Sequence, residues 1–65
     1  MKFRAIEIAW QQFVYGTQLV PLPSGKWLLI GDNAVNYIHT ESLKPFVGYT
    51  EQGEALYAGD VYFTD

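Results

Sequence analysis

Cysteine is absent from this 65-residue sequence, and histidine occurs once, as His39. The first absence excludes disulfides and thiolate-bound metals within these residues, and a single histidine cannot build a zinc site alone. Small domains usually rely on such devices or on a partner subunit, because a chain of this length buries only about 60% of the surface that its unfolded form exposes. We therefore expect stability to come from a dense core of the eleven aromatic residues (two Trp, five Tyr and four Phe) or from self-association.

Basic residues are also few. They are Lys2, Arg4, Lys26 and Lys44, and seven acidic residues give the chain a net charge of −3. Binding to a phosphate backbone needs several basic side chains on one face, since affinity rises with the number of phosphates neutralised. The charge balance therefore argues against strong non-specific binding of nucleic acid, while a weaker aromatic platform for single strands stays open.

Long apolar runs are missing as well. The longest extends from Trp27 to Ile30, far short of a membrane span, and Glu7 stands where a signal peptide would carry its apolar segment. The sequence therefore predicts a cytoplasmic protein with no membrane partner. No repeat, low-complexity tract or change of composition divides the chain, so residues 1–65 are expected to form a single domain.

What the sequence does contain is a succession of short extended segments separated by turns. Alternating or β-branched and aromatic residues predict strands over 3–10, where a helix is the alternative, and over 13–15, 26–30 and 34–39. Two prolines, Pro21 and Pro23, limit residues 17–23 to an edge strand or a loop. Residues 40–43 predict one helical turn capped by Thr40. The pattern predicts an all-β fold, a small barrel or a strongly bent antiparallel sheet of five to seven short strands.

The most informative stretch is residues 46–63, which predicts strand, turn, strand, turn and strand. Gly53 separates two runs of aromatic and branched residues, where a hairpin needs a residue that tolerates positive φ. Gly59 and Asp60 repeat the turn signal six residues later, so only a short strand or an extended connection fits between the two turns.

A series of short motifs runs through the chain in a fixed order: Phe3-Arg4-Ala5, Phe13-Val14-Tyr15-Gly16, Glu41-Ser42, Phe46-Val47-Gly48, Gly53 and Leu56-Tyr57-Ala58-Gly59-Asp60-Val61. In this order and at similar spacing the chain resembles the YopX family, small proteins encoded mostly by bacteriophages and prophages. The turn from Gly48 to Gly53 is one residue shorter than usual and carries Glu51 where the family tends to have aspartate. Family members commonly continue past the final motif, so the chain resembles their N-terminal half. The resemblance implies a β-rich fold and a phage context, but no chemistry.

Asp60, in the last of these motifs, has two interpretations. In the structural one, Gly59 adopts a restricted conformation and Asp60 hydrogen-bonds local backbone amides, with Tyr57 and Gly53 as further framework positions. In the functional one, Asp60 is an acid, a base or a metal ligand, which a lone carboxylate supports poorly. Asp32 likewise indicates a turn, because a calcium site would need more carboxylates at alternating positions.

His39 lacks a serine or cysteine nucleophile at recognisable spacing. An enzyme would require a pocket that gathers Asp60, His39 and either Glu41 or Glu54. We therefore predict no catalytic residues, no metal ligands and no cofactor.

Two interaction surfaces are suggested by the sequence. Trp27 and the apolar segment Val61, Tyr62 and Phe63 form the first, since an open edge strand attracts another subunit; the alternative is that the segment pairs with the first strand and closes the barrel. The second groups Arg4, Lys26 and Trp27, with Lys2 and Trp10, as contacts for single-stranded nucleic acid. The alternative there is tryptophans in the core and solvated cations.

The prediction is a non-catalytic binding or assembly module in a bacterial host cell. Its partner would be a second copy, with a dimer favoured, or a host or phage protein. The alternative is a nucleic-acid-associated regulator that uses a face of the barrel.

Overall fold

The computed structural model describes residues 1–60. Val61, Tyr62 and Phe63, predicted as a last strand and an interaction surface, lie outside the described residues. The described part contains seven strands and one 3₁₀ helix: β1 Phe3–Ile6, β2 Phe13–Gly16, β3 Gln18–Pro21, β4 Trp27–Ile30, β5 Val35–Ile38, the 3₁₀ helix Thr40–Ser42, β6 Lys44–Tyr49 and β7 Ala55–Tyr57.

The strands form two antiparallel sheets. One has four strands in the order β2-β1-β6-β7 and curls into half a barrel, and the other has three strands in the order β3-β4-β5. Backbone bonds join the sheets, because the Ile8 N–H donates to Tyr37 O (2.9 Å) and the His39 N–H donates to Ile6 O (2.9 Å). The prediction of a small all-β fold built from a strongly bent antiparallel sheet is confirmed.

The first strand ends at Ile6, four residues earlier than predicted. The Glu7 carboxylate accepts hydrogen bonds from the backbone N–H groups of Ala9 (3.1 Å) and Trp10 and so folds the chain into a turn. Gln11, at φ +56°, completes that turn by donating its N–H to Glu7 O. The predicted strand is therefore wrong beyond this point, and Trp10 is exposed on the turn, not packed in the core.

The hydrophobic core lies between the two sheets. Ala5 on β1, Leu29 on β4 and Ile38 on β5 are fully buried. Partly buried apolar residues surround them: Phe3, Val14, Leu19, Trp27 and Leu43. Because strand side chains alternate between faces, burial of Ala5 and Leu29 fixes which residues point outward from each sheet.

Two glycines lie where the sheets approach each other: Gly16 at the crossing from β2 to β3, and Gly31 in the connection between β4 and β5. A Cβ on Gly16 would lie 2.5 Å from Ile30 O and 2.9 Å from Leu29 Cγ, and a Cβ on Gly31 would lie 2.7 Å from Tyr15 O. Side chains are therefore excluded at both positions by the close approach of the backbones. Both glycines also line a cleft at the surface.

The predicted turns are found with one correction. Gly53 (φ +86°) forms the hairpin turn between β6 and β7. The helical turn at residues 40–42 exists, but the N-cap is His39 and no side chain caps it, so the assignment of Thr40 as its cap is wrong. Ser42 Oγ fastens this turn instead, by accepting the Ile6 N–H (2.8 Å) and donating to His39 O (2.6 Å).

Candidate functional site

An ion pair between the first strand and the end of the described chain organises the site. Arg4 points away from the core, because its neighbour Ala5 is buried. Both of its terminal nitrogens donate to the Asp60 carboxylate, Nη1 to Oδ2 at 3.2 Å and Nη2 to Oδ1. The side chains are 17% and 21% exposed, so the pair is largely shielded from water.

Asp60 reaches Arg4 because the turn at Gly59 (φ +86°) directs it back over the sheet. Its Oδ2 also accepts the Tyr57 backbone N–H at 2.9 Å, as the structural interpretation of this motif predicts. The hydrogen bonds from Arg4, then the one from Tyr57 and the positive charge nearby, lower the pKa of the Asp60 carboxyl against the opposing effect of desolvation. The carboxylate therefore stays ionised and is held in a fixed position.

The Arg4 guanidinium also packs against two aromatic rings. Its Cζ lies 4.5 Å from the centroid of Phe13 and 4.9 Å from the centroid of Tyr57. Its Nε is buried and has no hydrogen-bond partner within residues 1–60. Stacking of this kind suits the weakly hydrated, planar guanidinium.

Around Arg4 the outer side of the four-stranded sheet carries a continuous group of rings, which we call the aromatic face: Phe13, Tyr15, Phe46, Tyr49 and Tyr57. Ring centroids are 5.7 Å apart for Tyr15 and Tyr57, 5.8 Å for Phe46 and Tyr57, and 5.1 Å for Phe46 and Tyr49. Tyr57 is 5% exposed at the centre, whereas Phe13, Tyr15 and Tyr49 are 57%, 54% and 63% exposed. A partly buried Arg–Asp pair and a buried ring thus support three rings that face solvent.

Most of the basic side chains lie on this same face. Lys2 Nζ is 5.9 Å from the centroid of Phe46, and Lys44 stands directly opposite Arg4 in the pairing of β1 with β6. The fourth basic residue, Lys26, lies in the turn between β3 and β4. Since Asp60 neutralises Arg4, the face keeps two lysine charges, neither of which forms an ion pair within the described chain.

A cleft of about 280 Å³ adjoins the aromatic face beside Gly16 and Gly31. The backbones of Gly16 and Gly31 form part of its wall, and the side chains that line it are Lys2, Tyr15, Thr17, Asp32 and Tyr57. The cleft therefore combines two phenol rings, one ammonium, one carboxylate and the hydroxyl of Thr17. The exposed ring of Tyr15 belongs to both the cleft and the aromatic face.

Three of the four framework positions predicted from the sequence, Tyr57, Gly59 and Asp60, belong to this site, while Gly53 lies in the hairpin turn. Trp27 is partly buried against the core. Val61, Tyr62 and Phe63 lie outside the described residues.

The nucleic-acid group predicted from the sequence is only partly assembled in the described structure. Arg4 lies on the outer side of the four-stranded sheet, whereas Trp27 packs inward from β4 and Lys26 precedes it in a turn. Lys2, a predicted member, shares a face with Arg4, and Lys44, which was not predicted, lies there as well.

Sequence reasoning missed the exposed rings of Phe13 and Tyr15 as site residues. Their alternation with Val14 was visible, but the pairing of Tyr15 with Arg4 and of Phe13 with Ile6 depends on the register of β1 and β2. A hairpin prediction for residues 3–16 would have placed these side chains on one face.

Of the residues considered for catalysis, His39 and Glu41 lie near each other, while Asp60 has a different partner. Asp60 contacts Arg4, while His39 Nδ1 lies 3.7 Å from Glu41 Oε1 and its Nε2 lies 3.0 Å from Gln11 Nε2. Within residues 1–60 no three histidine, aspartate or glutamate side chains are grouped to hold a metal ion. No helix in the described part is long and apolar enough to cross a membrane.

Comparison with known proteins identifies no relative: no family model, no curated protein and no solved structure matches this chain. The geometry of the aromatic face and of the cleft is therefore the basis for assigning a function.

Proposed function

We propose that this protein is a non-catalytic binding module that engages its partner through the aromatic face. The observation that carries the proposal is the presence of three exposed rings, Phe13, Tyr15 and Tyr49, on the outer side of one sheet. Tyr57 and Phe46 connect Tyr15 to Tyr49. Aromatic side chains supply large contact areas with few rotatable bonds, and they dominate the energetics of protein interfaces. Contiguous apolar surface of this kind on a small protein marks an interaction site.

The support beneath these rings favours tight binding. Arg4 packs against Phe13, and the buried ring of Tyr57 contacts both Tyr15 and Phe46. Contacts between ordered side chains reduce the conformational entropy that is lost when a partner binds. If Asp60 were absent, the Arg4 guanidinium would be largely shielded from water between the rings and would have no carboxylate partner, which costs free energy of desolvation.

The resemblance to the YopX family supports a bacterial host cell, with phage or prophage origin, as the setting of this binding. A host or phage protein is then a natural partner. This part of the proposal depends on the sequence motifs, not on the aromatic face.

Self-association is a second candidate, favoured by the outer side of the three-stranded sheet. Burial of Leu29 places its neighbours Leu28 and Ile30 on the outer side. They pair there with three further apolar residues, Val20, Val35 and Tyr37. None of the residues within β3, β4 and β5 that lie on this side is charged. Two copies could therefore pair these strands' outer sides in a twofold dimer, which uses the same patch on both subunits.

A pull-down from bacterial lysate tests the main proposal. The bait is the wild type, a variant of the aromatic face (Phe13→Ser with Tyr15→Ser and Tyr49→Ser), or a control variant of the other sheet (Val20→Ser with Val35→Ser and Tyr37→Ser). We expect a partner that the wild type and the control retain and the aromatic-face variant loses. Equal retention by all three baits would contradict the proposal.

Sedimentation velocity tests the second candidate. If the protein associates through the three-stranded sheet, we expect the wild type to sediment as a dimer. Val35→Lys should make it a monomer, whereas Tyr49→Lys, on the other sheet, should leave the dimer intact. A monomer at every concentration would remove this candidate and leave the aromatic face unaffected.

A further inference from the structure

We infer that the aromatic face and its cleft bind single-stranded nucleic acid, with one nucleotide seated in the cleft. This inference depends on the proposed function, because it names the chemical class of the partner for the same surface. It keeps Lys2 from the interaction predicted on sequence grounds, but Lys44 replaces Lys26, and the rings of β2, β6 and β7 replace the two tryptophans.

The distribution of charge is the first argument. The chain is acidic overall, yet three of its four basic residues lie on the aromatic face. Among the exposed acidic residues that the structure describes, Glu41 lies in the 3₁₀ helix, Glu51 and Glu54 lie in the turn between β6 and β7, and Asp32 lines the cleft. The face therefore presents two ammonium groups beside apolar rings, which matches a ligand with regularly spaced phosphates and flat bases.

The spacing of the rings is the second argument. Phe13 and Tyr15 lie two residues apart on the same side of β2, which separates them by about 6.7 Å along the strand. That distance is about twice the 3.4 Å rise per nucleotide of a stacked strand, so each ring can take its own base. Stacking of bases on aromatic side chains requires no particular sequence.

The cleft adds groups that suit one nucleotide. The aromatic ring of Tyr15 forms one wall of the cleft, on which a base can stack, and the Lys2 ammonium, which also lines the cleft, can pair with a phosphate. The Asp32 carboxylate accepts hydrogen bonds from amino groups, which adenine, cytosine and guanine carry and thymine and uracil lack. The volume of about 280 Å³ is slightly below the range of about 300–1,000 Å³ typical of small-ligand sites, so the cleft has room for part of one nucleotide.

Fluorescence anisotropy with labelled single-stranded homopolymers of cytosine and of thymine, each of about twelve nucleotides, tests the inference. We expect the wild type to bind, with the logarithm of the affinity falling by about 1.4 per decade of salt for two neutralised phosphates. The cytosine polymer should bind more tightly, and Asp32→Asn should reduce that preference. Equal affinity of the wild type for both polymers would contradict the binding of one nucleotide in the cleft beside Asp32.

Matched variants separate the aromatic face from the rest of the surface. Tyr15→Ala should weaken binding about 5- to 150-fold, the effect of removing one stacking ring, while Tyr37→Ala, at a similarly exposed tyrosine on the other sheet, should leave it unchanged. Lys44→Glu should weaken binding more at low salt than at high salt, and Lys26→Glu should weaken it less. If Tyr15→Ala unfolds, Tyr15→Leu keeps the apolar bulk and removes the flat ring.

The outcomes distinguish the two proposals. No change in anisotropy at low salt, together with a lysate protein that depends on the aromatic face, would overturn the nucleic-acid inference and leave the binding module standing. Equal effects of Tyr15→Ala and Tyr37→Ala on oligonucleotide binding would also overturn the inference. If neither an oligonucleotide nor a face-dependent partner binds, both proposals fail.

Discussion

At the scale of single residues, Arg4 supports the surface more than it contacts a ligand. Its guanidinium is occupied by the Asp60 carboxylate and by the rings of Phe13 and Tyr57. Replacing Arg4 would leave the Asp60 carboxylate without its main hydrogen-bond donors. A loss of binding in such a variant would therefore reflect lost order in the face, which is why Lys44 is the better probe of charge.

The ionisation of Asp60 makes a prediction about acid stability. Its pKa is lowered in the folded protein, chiefly by hydrogen bonds from Arg4, so its contribution is present above the usual aspartate pKa of about 3.9. That contribution is lost as the pH falls below about 4 and through the lower folded-state pKa. We expect Asp60→Asn to lower the urea midpoint at pH 7, and the difference from wild type to shrink on acidification.

Asp32 provides the control for this prediction, since it is an exposed aspartate in a turn with no ion pair within residues 1–60. The midpoint of Asp32→Asn should follow that of wild type at each pH. A difference between Asp60→Asn and wild type that stays constant from neutral to strongly acid pH would show that the ion pair does not contribute as described.

At the scale of secondary-structure elements, the crossing from β2 to β3 depends on a small residue. A methyl group at Gly16 would meet the backbone of Ile30, which cannot move without disturbing the core around Leu29. Gly16→Ala should therefore lower the free energy of unfolding by about 1–3 kcal/mol, the usual effect of overpacking. Thr17→Ala, at the exposed neighbouring position, should change it by about 0.5 kcal/mol or less. Urea unfolding followed by tryptophan fluorescence would measure the free energy of unfolding of both variants. Similar losses for Gly16→Ala and Thr17→Ala would contradict the close contact of Gly16 with the Ile30 backbone.

The hairpin of β6 and β7 was predictable because its signals are local. Gly53 marks the turn, and aromatic or branched residues flank it on both sides. Residues 7–10 were mispredicted as strand because the alternating pattern continues through them, whereas the Glu7 carboxylate accepts hydrogen bonds from the backbone and ends the strand at Ile6. The alternation of apolar and polar residues does not reveal a side chain that accepts hydrogen bonds from the backbone in this way.

The candidate site was only partly predictable for a related reason. The turn at Gly59 and Asp60 has a local signature, and its hydrogen bond to the Tyr57 amide follows from that signature. The pairing of Asp60 with Arg4 spans 56 residues and depends on the register of β1, β6 and β7. Register follows from burial of alternate residues on several strands together, so no single segment reveals it.

At the scale of the whole molecule, the protein combines a small core with a large ordered surface. Ala5, Leu29 and Ile38 are completely buried, and Tyr57 is the one further apolar residue classed with them in the described part. A dense aromatic core was one of the two stabilising devices expected, with self-association as the other, yet five of the aromatic residues are exposed: Trp10, Phe13, Tyr15, Tyr37 and Tyr49. Much of the aromatic content is therefore available for binding, which the composition alone could not reveal.

The most direct test of the aromatic face as a binding surface is an NMR titration of the isotope-labelled protein with the single-stranded cytosine polymer. We predict that the largest amide shifts occur at residues 13–16 and 44–49, with further shifts at the cleft residues Thr17 and Asp32. Amides of β3 and β5 should move little. Shifts concentrated on the three-stranded sheet, or no shifts at all at low salt, would contradict binding of nucleic acid at the aromatic face.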